Sequence, residues 1–437
     1  MLNLSGLQVT KVGDRQGDYL LEAAVDQEVP VCECADPHVV ANGRKPQEFV
    51  DTPMHGKRVD IIIKRQRYLC QGCRRTYYAD IPNMHSKHRM TQRCYDYIVK
   101  NGAKRPWKAL GEELGIDAQT VSDIWNQWAD AELAKVTPAT PDWMGIDELF
   151  IMGKYRCVIT NVRAKALVTM LPSRELGMLQ VYFAEKFDTS KVQVVTMDMW
   201  YPYRAAVKAS FPNAKIVVDR FHVMQHASKA VETVRKVLRA DQDRKHRISM
   251  LGDRWLVLTA KEKLSTMQQV RLEALLGQYP VLKEAYELKE SFREVWKTTD
   301  RATAEAEFAM WKMRAESSAG RAAWQPLLRA FENWHEEIFA YLDWRLTNAY
   351  TESFNALARR MDRGGNGYSF EGLKKRLLMR HGLQFRERPK SVLDWSMEEV
   401  MADVPGMYRQ MIPIAERMLI GYKLSTLAKV AGELPAA

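Results

Sequence analysis

Several features are missing from this sequence, and each absence narrows what the chain can be. No stretch approaches the roughly 18 consecutive apolar residues of a membrane span, so no transmembrane segment is expected. The start, Met1-Leu2-Asn3-Leu4-Ser5, has no basic stretch followed by an apolar one. A secretory leader is therefore not expected, and a cytoplasmic location is. No internal repeat and no low-complexity tract is visible, which sets aside solenoids and compositionally biased linkers. Cysteine is scarce: there are six, four of them before position 75. In a cytosolic chain such clustering points to a metal site rather than a disulfide framework.

What is present is ordinary globular material with an unusual charge. Hydrophobic residues make up 46% and charged residues 27%, which excludes disorder and leaves ample material for a large core. At 437 residues the chain exceeds what one core usually organises, so two to four domains are expected. The formal net charge of +11 favours a polyanionic partner, because each phosphate met by Lys or Arg releases a condensed counterion.

The texture of the chain divides it. Residues 1–87 alternate like short strands (Leu7 to Val12, Val59 to Ile63) and carry the cysteine cluster. Residues 88–135 read as short helices around a Gly-containing turn, followed by the Pro-containing connector Val136 to Pro141. From 142 to 226 strands and helices alternate, with strands expected at Trp143–Ile151, Arg156–Asn161, Ala166–Leu171, Val192–Met197 and Ala214–Val218. Residues 227–345 are rich in Ala, Leu, Glu, Lys, Arg and Trp and read as helical. Helical texture resumes over 346–437, interrupted at Gly364-Gly365-Asn366-Gly367.

Three constellations carry chemistry. Cys70-Gln71-Gly72-Cys73 is a C-x-x-C knuckle, in which Gly72 is expected to permit the tight turn. With Cys32 and Cys34 it supplies four thiolates for a closed, tetrahedral structural Zn²⁺ site. The first pair is spaced C-x-C, and His38 is the alternative to one of its members. Cys94 and Cys157 sit in apolar patterns and are expected in the core. Second, Trp107 to Leu114 and Ala118 to Trp125 read as two helices joined at Gly115, a helix-turn-helix. Gln119, Thr120, Ser122 and Asn126 are expected to face outward on the second helix, where such side chains read base edges. Third, Asp147 falls inside or at the end of one apolar strand and Asp198 ends another, 51 positions apart (198 minus 147). On adjacent strands such carboxylates would repel, which favours bound cations or a retained proton, and hard oxygen ligands suit Mg²⁺ or Mn²⁺. Glu352, Asn355 and Arg359 share one face of a helix whose other face is apolar (Phe354, Leu357, Ala358, Met361), so Glu352 can supply a third acid while Arg359 meets phosphate. Asp343 and Glu337 are the alternatives for that acid. Asp219 and His222 close the last expected strand, either facing the same site or capping the next helix.

At these residues the chain resembles the ISL-three family of insertion-sequence transposases. The matching features, in order, are the Cys-rich ribbon, the helix-turn-helix, Gly145-Ile146-Asp147-Glu148, Thr196-Met197-Asp198-Met199 with Tyr203, Asp219-Arg220-Phe221-His222, and Asn348 to Asn355 leading into Gly367-Tyr368-Ser369-Phe370. The resemblance implies a multidomain α+β protein: a zinc ribbon, a helix-turn-helix, and an RNase H-like α/β catalytic core interrupted by an all-helical insertion at 227–345. It implies that Asp147, Asp198 and Glu352 are a metal-binding triad and that His222 is a phosphate-proximal helper. The implied reaction is two-metal cleavage and joining of DNA strands. The implied partners are double-stranded DNA (terminal inverted repeats and target) and further copies of the chain, as a homodimer or larger synaptic complex on the nucleoid.

Overall fold

A strongly alternating strand opens the described part of the computed structural model, which covers residues 4–242, 244, 252–365 and 367–382. The expected helices beyond 382 lie outside the described residues. The first five strands are β1 (Leu7–Arg15), β2 (Asp18–Val25), β3 (Val39–Met54), β4 (Lys57–Cys70) and β5 (Thr76–Tyr78), in the order β1-β2-β4-β3 with β5 added to β4. Along β4, Val59, Ile61 and Ile63 are buried while Asp60 and Ile62 are only half-buried, the two-residue period of a one-faced sheet. His55-Gly56, both at positive φ, joins β3 to β4 as a two-residue hairpin turn.

Three helices follow: α1 (Gln92–Gly102), α2 (Trp107–Leu114) and α3 (Ala118–Ala134). Thr91 caps α1, its hydroxyl accepting from the Cys94 amide at 3.1 Å and donating to Asp51 at 2.6 Å, which ties α1 to β3. Gly115 ends α2 in the left-handed conformation, and Asp117 then caps α3 by accepting from the Gln119 amide at 2.8 Å. Cys94, Ile98, Leu110, Leu114, Val121, Ile124 and Trp125 form the core of this module.

The second sheet places the acids. Its strands are β6 (Trp143–Ile151), β7 (Lys154–Asn161), β8 (Ala166–Leu171), β9 (Val194–Met197) and β10 (Lys215–Val218), interleaved with α4 (Leu176–Lys186) and α5 (Tyr201–Ser210). The order is β10-β9-β6-β7-β8, with β6, β9 and β10 parallel and β7 and β8 antiparallel. Helix α6 (Arg220–Ala240) leaves β10 and begins the helical region. It continues through α7 (Arg254–Leu258), α8 (Thr266–Gln278), α9 (Pro280–Val295), α10 (Arg301–Ser317) and α11 (Arg321–Trp344).

This helical region is not a separate lobe. One hydrophobic core runs from Val195, Val217 and Val218 in the sheet through Val231 to Phe292, Trp311, Trp324 and Phe331. Helix α11 packs directly on β10 and α6. The chain then returns to the sheet with α12 (Ala349–Gly364) and α13 (Phe370–His381), whose Phe354, Ala358, Leu373 and Leu377 pack with Leu149, Val158 and Met170. Among the described residues no helix is long and apolar enough to cross a membrane.

Arg376 of α13 joins the helical N-terminal module to the rest. Fully buried, it lies over the rings of Trp107, Tyr368 and Trp125 at 4.2, 4.3 and 5.5 Å and donates to the Arg105 carbonyl at 3.0 Å. Desolvation pushes its guanidinium down to about 10, so the three ring faces stand in for lost water.

Candidate metal centres

The four N-terminal cysteines converge. The sulfurs of Cys32, Cys34, Cys70 and Cys73 all lie within 4.8 Å of one another, with Cys32–Cys73 and Cys34–Cys70 at 3.6 Å. A tetrahedron of Zn–S bonds of about 2.3 Å has sulfur edges near ~3.8 Å, so the spacing fits. The short C-x-C pair is thus used whole. His38 contributes backbone groups: its carbonyl accepts from the Gln71 amide at 2.8 Å and its amide donates to the Cys70 sulfur. The knuckle's geometry differs from the expectation in one respect. Left-handed backbone falls on Arg74, and Gly72 is required because a Cβ there would sit 2.0 Å from the Asp36 carbonyl oxygen. The Cys73 backbone amide helps push the Cys70 thiol down to about 6, and the Tyr77 hydroxyl, 3.1 Å from Cys32 Sγ, lowers that thiol too. Cys94 and Cys157 are buried in apolar cores, as their patterns suggest.

On α3 the expected outward face is only partly exposed. Gln119 and Thr120 are exposed and Asn126 is half-buried. Ser122 is not outward: it is 9% exposed, and its hydroxyl accepts from the Asn126 amide at 3.2 Å. Its position explains this, because Ser122 falls on the same stripe as the buried Trp125 and Ala129, three and seven residues on.

The acids meet at the carboxyl ends of the parallel strands. Gly145 of β6 pairs with Thr196 of β9, so Asp147 and Asp198, each two residues further on, end up side by side despite their separation in sequence. Asp219 stands at the end of β10. Open α/β sheets bind ligands at this end. Helix α12 carries Glu352 in from the other side. Asp147, Asp198, His222, Glu352, Asn355 and Arg359 line one cavity of about 380 Å³, which brings together the expected acids, the expected histidine and the expected arginine.

The cavity is electrostatically uncomfortable. Burial, with the Asp198 charge next in importance, lifts the Asp147 carboxyl to about 8. Burial, with the Asp219 and Glu352 charges, lifts Asp198 to about 7. His222 Nε2 lies 3.1 Å from both Asp198 Oδ1 and Glu352 Oε1. One N–H cannot serve both, and only the approach to Glu352 has hydrogen-bond geometry, so Asp198 Oδ1 is buried without a hydrogen-bond partner. Hard carboxylate oxygens, mutual repulsion and an orphaned buried oxygen together fit divalent cations.

Asp219, His222 and Glu352 also lie within ligand distance of one another. Asp219, however, is engaged in structure: it caps α6 by accepting from the Phe221 amide at 3.0 Å and accepts from the Asn348 amide at 3.2 Å. Of the two readings of Asp219, capping is the one its contacts satisfy. The alternatives to Glu352 lie elsewhere. Glu337 pairs with Arg204 and Lys208 at 3.4 and 3.3 Å, Asp343 pairs with Arg301 at 3.0 Å, and both border a different cavity.

Asn355 is the cavity residue that sequence reasoning left without a role. Its amide donates to Asp147 Oδ2 at 2.7 Å and to the Glu148 carbonyl at 3.1 Å, while the Glu148 amide holds Asp147 Oδ1 at 2.7 Å. Its place on the Glu352 face was the available signal. Gly145 is explained here as well. A Cβ on it would lie 2.4 Å from Thr351 Oγ1 and 2.8 Å from Asn348 Oδ1, so only glycine lets α12 close on β6.

The comparisons with known proteins agree with this architecture. The N-terminal residues 29–73 match the zinc-finger of transposases IS204/IS1001/IS1096/IS1165, so the cysteine module is a zinc ribbon suited to a structural zinc. The transposase for insertion sequence element IS1001 of Bordetella parapertussis is 24% identical over 330 residues, covering 73% of this chain and 80% of that protein. The model of the ISL3 (ISL-three) transposases matches residues 144–377, more than half of the chain and the whole span over which the acids are assembled. The chain therefore belongs to the ISL3 family of transposases, DNA-processing enzymes of insertion sequences.

Proposed function

We propose that this transposase binds the terminal inverted repeats of its element and catalyses strand cleavage and strand transfer at the Asp147–Asp198–Glu352 cavity. The observation that carries the reading is the convergence of acids from two parallel strands and a helix 154 positions later (352 minus 198) on one cavity, with Asp198 Oδ1 left unpartnered. Two divalent cations, Mg²⁺ or Mn²⁺, would supply activation of water or a 3′-hydroxyl and neutralisation of the leaving oxygen. Asp147 is oriented by Asn355 and the Glu148 amide, which fixes one carboxylate while Asp198 stays free to ligate. His222 holds Glu352 in place from the first turn of α6 and lines the cavity in which the phosphate would lie. Arg359, exposed one turn beyond Asn355, meets the DNA backbone.

In this reading the core is RNase H-like, formed by 142–226 with the helix that carries Glu352 as its last element, and interrupted by the helical insertion 227–345. The zinc ribbon (1–87) and the helix-turn-helix (88–135) recognise the repeats, with Gln119, Thr120 and Asn126 as the base-facing residues. Two element ends require a dimer or larger synaptic assembly on the nucleoid. The test is cleavage and joining of a labelled duplex carrying the terminal repeat, with Mg²⁺ or Mn²⁺, by wild type beside Asp147→Ala, Asp198→Ala and Glu352→Ala. Metal-dependent products lost in all three variants, with DNA binding retained, are expected. Binding without cleavage by wild type would instead identify a DNA-binding regulator, and cleavage surviving Glu352→Ala would remove that residue from the triad.

A further inference from the structure

The β6–β7 hairpin carries a feature that neither the core nor the acid chemistry uses. Its two-residue turn, Met152-Gly153, has φ of 51° and 69°, and one pair behind Ile151 and Lys154, which flank it, Phe150 and Tyr155 face each other across the strands. Both rings are exposed, 52% and 47%, although both border the cavity that holds Asp147, Asp198 and Glu352. Phe221, beside His222, is 53% exposed and stands edge-on to it, ring centroids 5.8 Å apart. Exposed aromatic rings beside a cluster of carboxylates serve no packing purpose, and an apolar ring at such a place is costly to hydrate.

The rings are also held in place. The Arg174 guanidinium lies 4.0 Å from the Tyr155 ring centroid and 4.5 Å from that of Trp200, and is ion-paired with Glu148. Phe150 leans on Tyr155 with centroids 4.9 Å apart and planes at 60°. Trp200, Arg174, Tyr155 and Phe150 thus form a column of planar groups that begins beside the acid site and ends on the open ring of Phe150. Lys154 adds an exposed cation at the hairpin tip. Aromatic faces buttressed by a guanidinium and accompanied by a lysine are the surface on which bases of unpaired nucleic acid stack.

We propose that Phe150, backed by Tyr155 and Arg174, is a stacking platform for a nucleobase that leaves the duplex beside the phosphate being cut. The inference rests on the cavity being the cleavage site. Phe150 is a positioning residue: it touches a base next to the reacting phosphate and fixes where that phosphate lies. A base drawn out of the stack costs the duplex part of its pairing, and the column returns that cost through contact with the ring.

The test is a double-mutant cycle in which one partner is a base. Wild type and Phe150→Ala act on a series of duplexes carrying the terminal repeat, each with one abasic position, on the element or flanking side and on either strand. Phe150→Ala is expected to slow cleavage of the intact duplex between about 5- and 150-fold. At one abasic position the two proteins are expected to become equal, because the variant then lacks nothing that the substrate can use. That position identifies whether the base comes from the element or from the flank. Phe150→Trp is expected to retain the wild-type pattern and Phe150→Leu, apolar but without a ring, to behave as Ala. Equilibrium binding of the same series gives the cycle independently of cutting, so a wild type that binds but does not cleave counts against the proposed function and leaves the stacking measurable. A Phe150→Ala effect of equal size on every abasic substrate overturns the inference. So does no effect at all, or one explained by a changed oligomeric state on gel filtration.

Discussion

Replacing Asp147 by Asn tests the acid cavity through stability, with no dependence on DNA. Burial, and after it the Asp198 charge, lifts the Asp147 carboxyl to about 8. In an unfolded chain the same group titrates near ~3.9. Between those values the folded chain binds the proton and the unfolded chain does not. Stability is therefore full below about pH 4 and is lost as the pH rises towards 8. A gap of about four pH units corresponds to about 5 kcal/mol, and for a domain of this size that is on the order of 10 °C in Tm. The amide introduced by Asp147→Asn does not titrate, so the variant lacks this loss whatever the constant cost of the substitution. Melting temperatures of both proteins in EDTA from pH 5 to 8.5 give the measurement. From pH 5 upward the wild type is expected to fall by about three quarters of that more than Asp147→Asn, since about one of the four pH units lies below pH 5, and Mg²⁺ or Mn²⁺ at pH 8.5 is expected to restore the wild type alone, since a cation replaces the lost proton. Parallel Tm curves for the two proteins, with no selective rescue by metal, would refute the reasoning that Asp147 is held buried beside other carboxylates.

Other substitutions follow from packing, ligation and exposure. Gly145→Ala places a methyl 2.4 Å from Thr351 Oγ1 and is expected to destabilise the protein by about 1–3 kcal/mol, with a smaller effect in a Thr351→Ala background, measured by thermal unfolding of the four proteins. Cys70→Ser is expected to lower the zinc content found by atomic emission and to lower the Tm, and chelation of the wild type is expected to do the same, because four converging thiolates leave no spare ligand. Ser122→Ala is expected to change stability by about 1 kcal/mol and leave sequence discrimination intact, whereas Gln119→Ala or Thr120→Ala is expected to cost about 1–3 kcal/mol of discrimination at one base pair, measured by competition binding against mismatched repeats.

Much of this arrangement was legible because it rests on local periodicity. The alternation Val59-Asp60-Ile61-Ile62-Ile63 marks a one-faced strand, and the apolar run Val194 to Met197 marks a buried one, since each follows from which side of a pleat meets water. Gly115 between two short helical patterns gave the turn, because a left-handed residue there is nearly always glycine or asparagine. What was not legible depends on partners far away in the chain. Ser122 was misplaced because its burial is set by the tertiary neighbours of α3, and a small hydroxyl looks the same in sequence on either face. The role of Gly72 differs from the expected one because the Asp36 carbonyl that crowds it comes from a loop 36 residues earlier (72 minus 36). Arg376 gave no sign of its burial, since a cage of Trp107, Trp125 and Tyr368 exists only once two modules have met.

The position of Glu352 is the point where local pattern and distant partner depend on each other. Asn348, Thr351, Glu352 and Asn355 fall at spacings of three, four and seven, so they share one face around the start of α12. A helix face that buries itself on a sheet is usually apolar, yet this one is polar, and Asn348, Thr351 and Asn355 are all almost fully buried. Each neutral member meets a specific group on the sheet: Asn348 the Ile146 carbonyl at 3.2 Å, Thr351 the Thr160 hydroxyl at 2.8 Å, Asn355 Asp147 at 2.7 Å. Buried amides and hydroxyls are tolerable only with their partners in place, so sliding α12 by one residue would strand three of them at once. An apolar face would allow such slippage at small cost, because hydrophobic contact is not directional. The polar face therefore locks the helix in one register, and Glu352, the only charged member, is carried to His222 by the hydrogen bonds of its neighbours. Gly145 completes the device by removing the one Cβ that would keep the two surfaces apart.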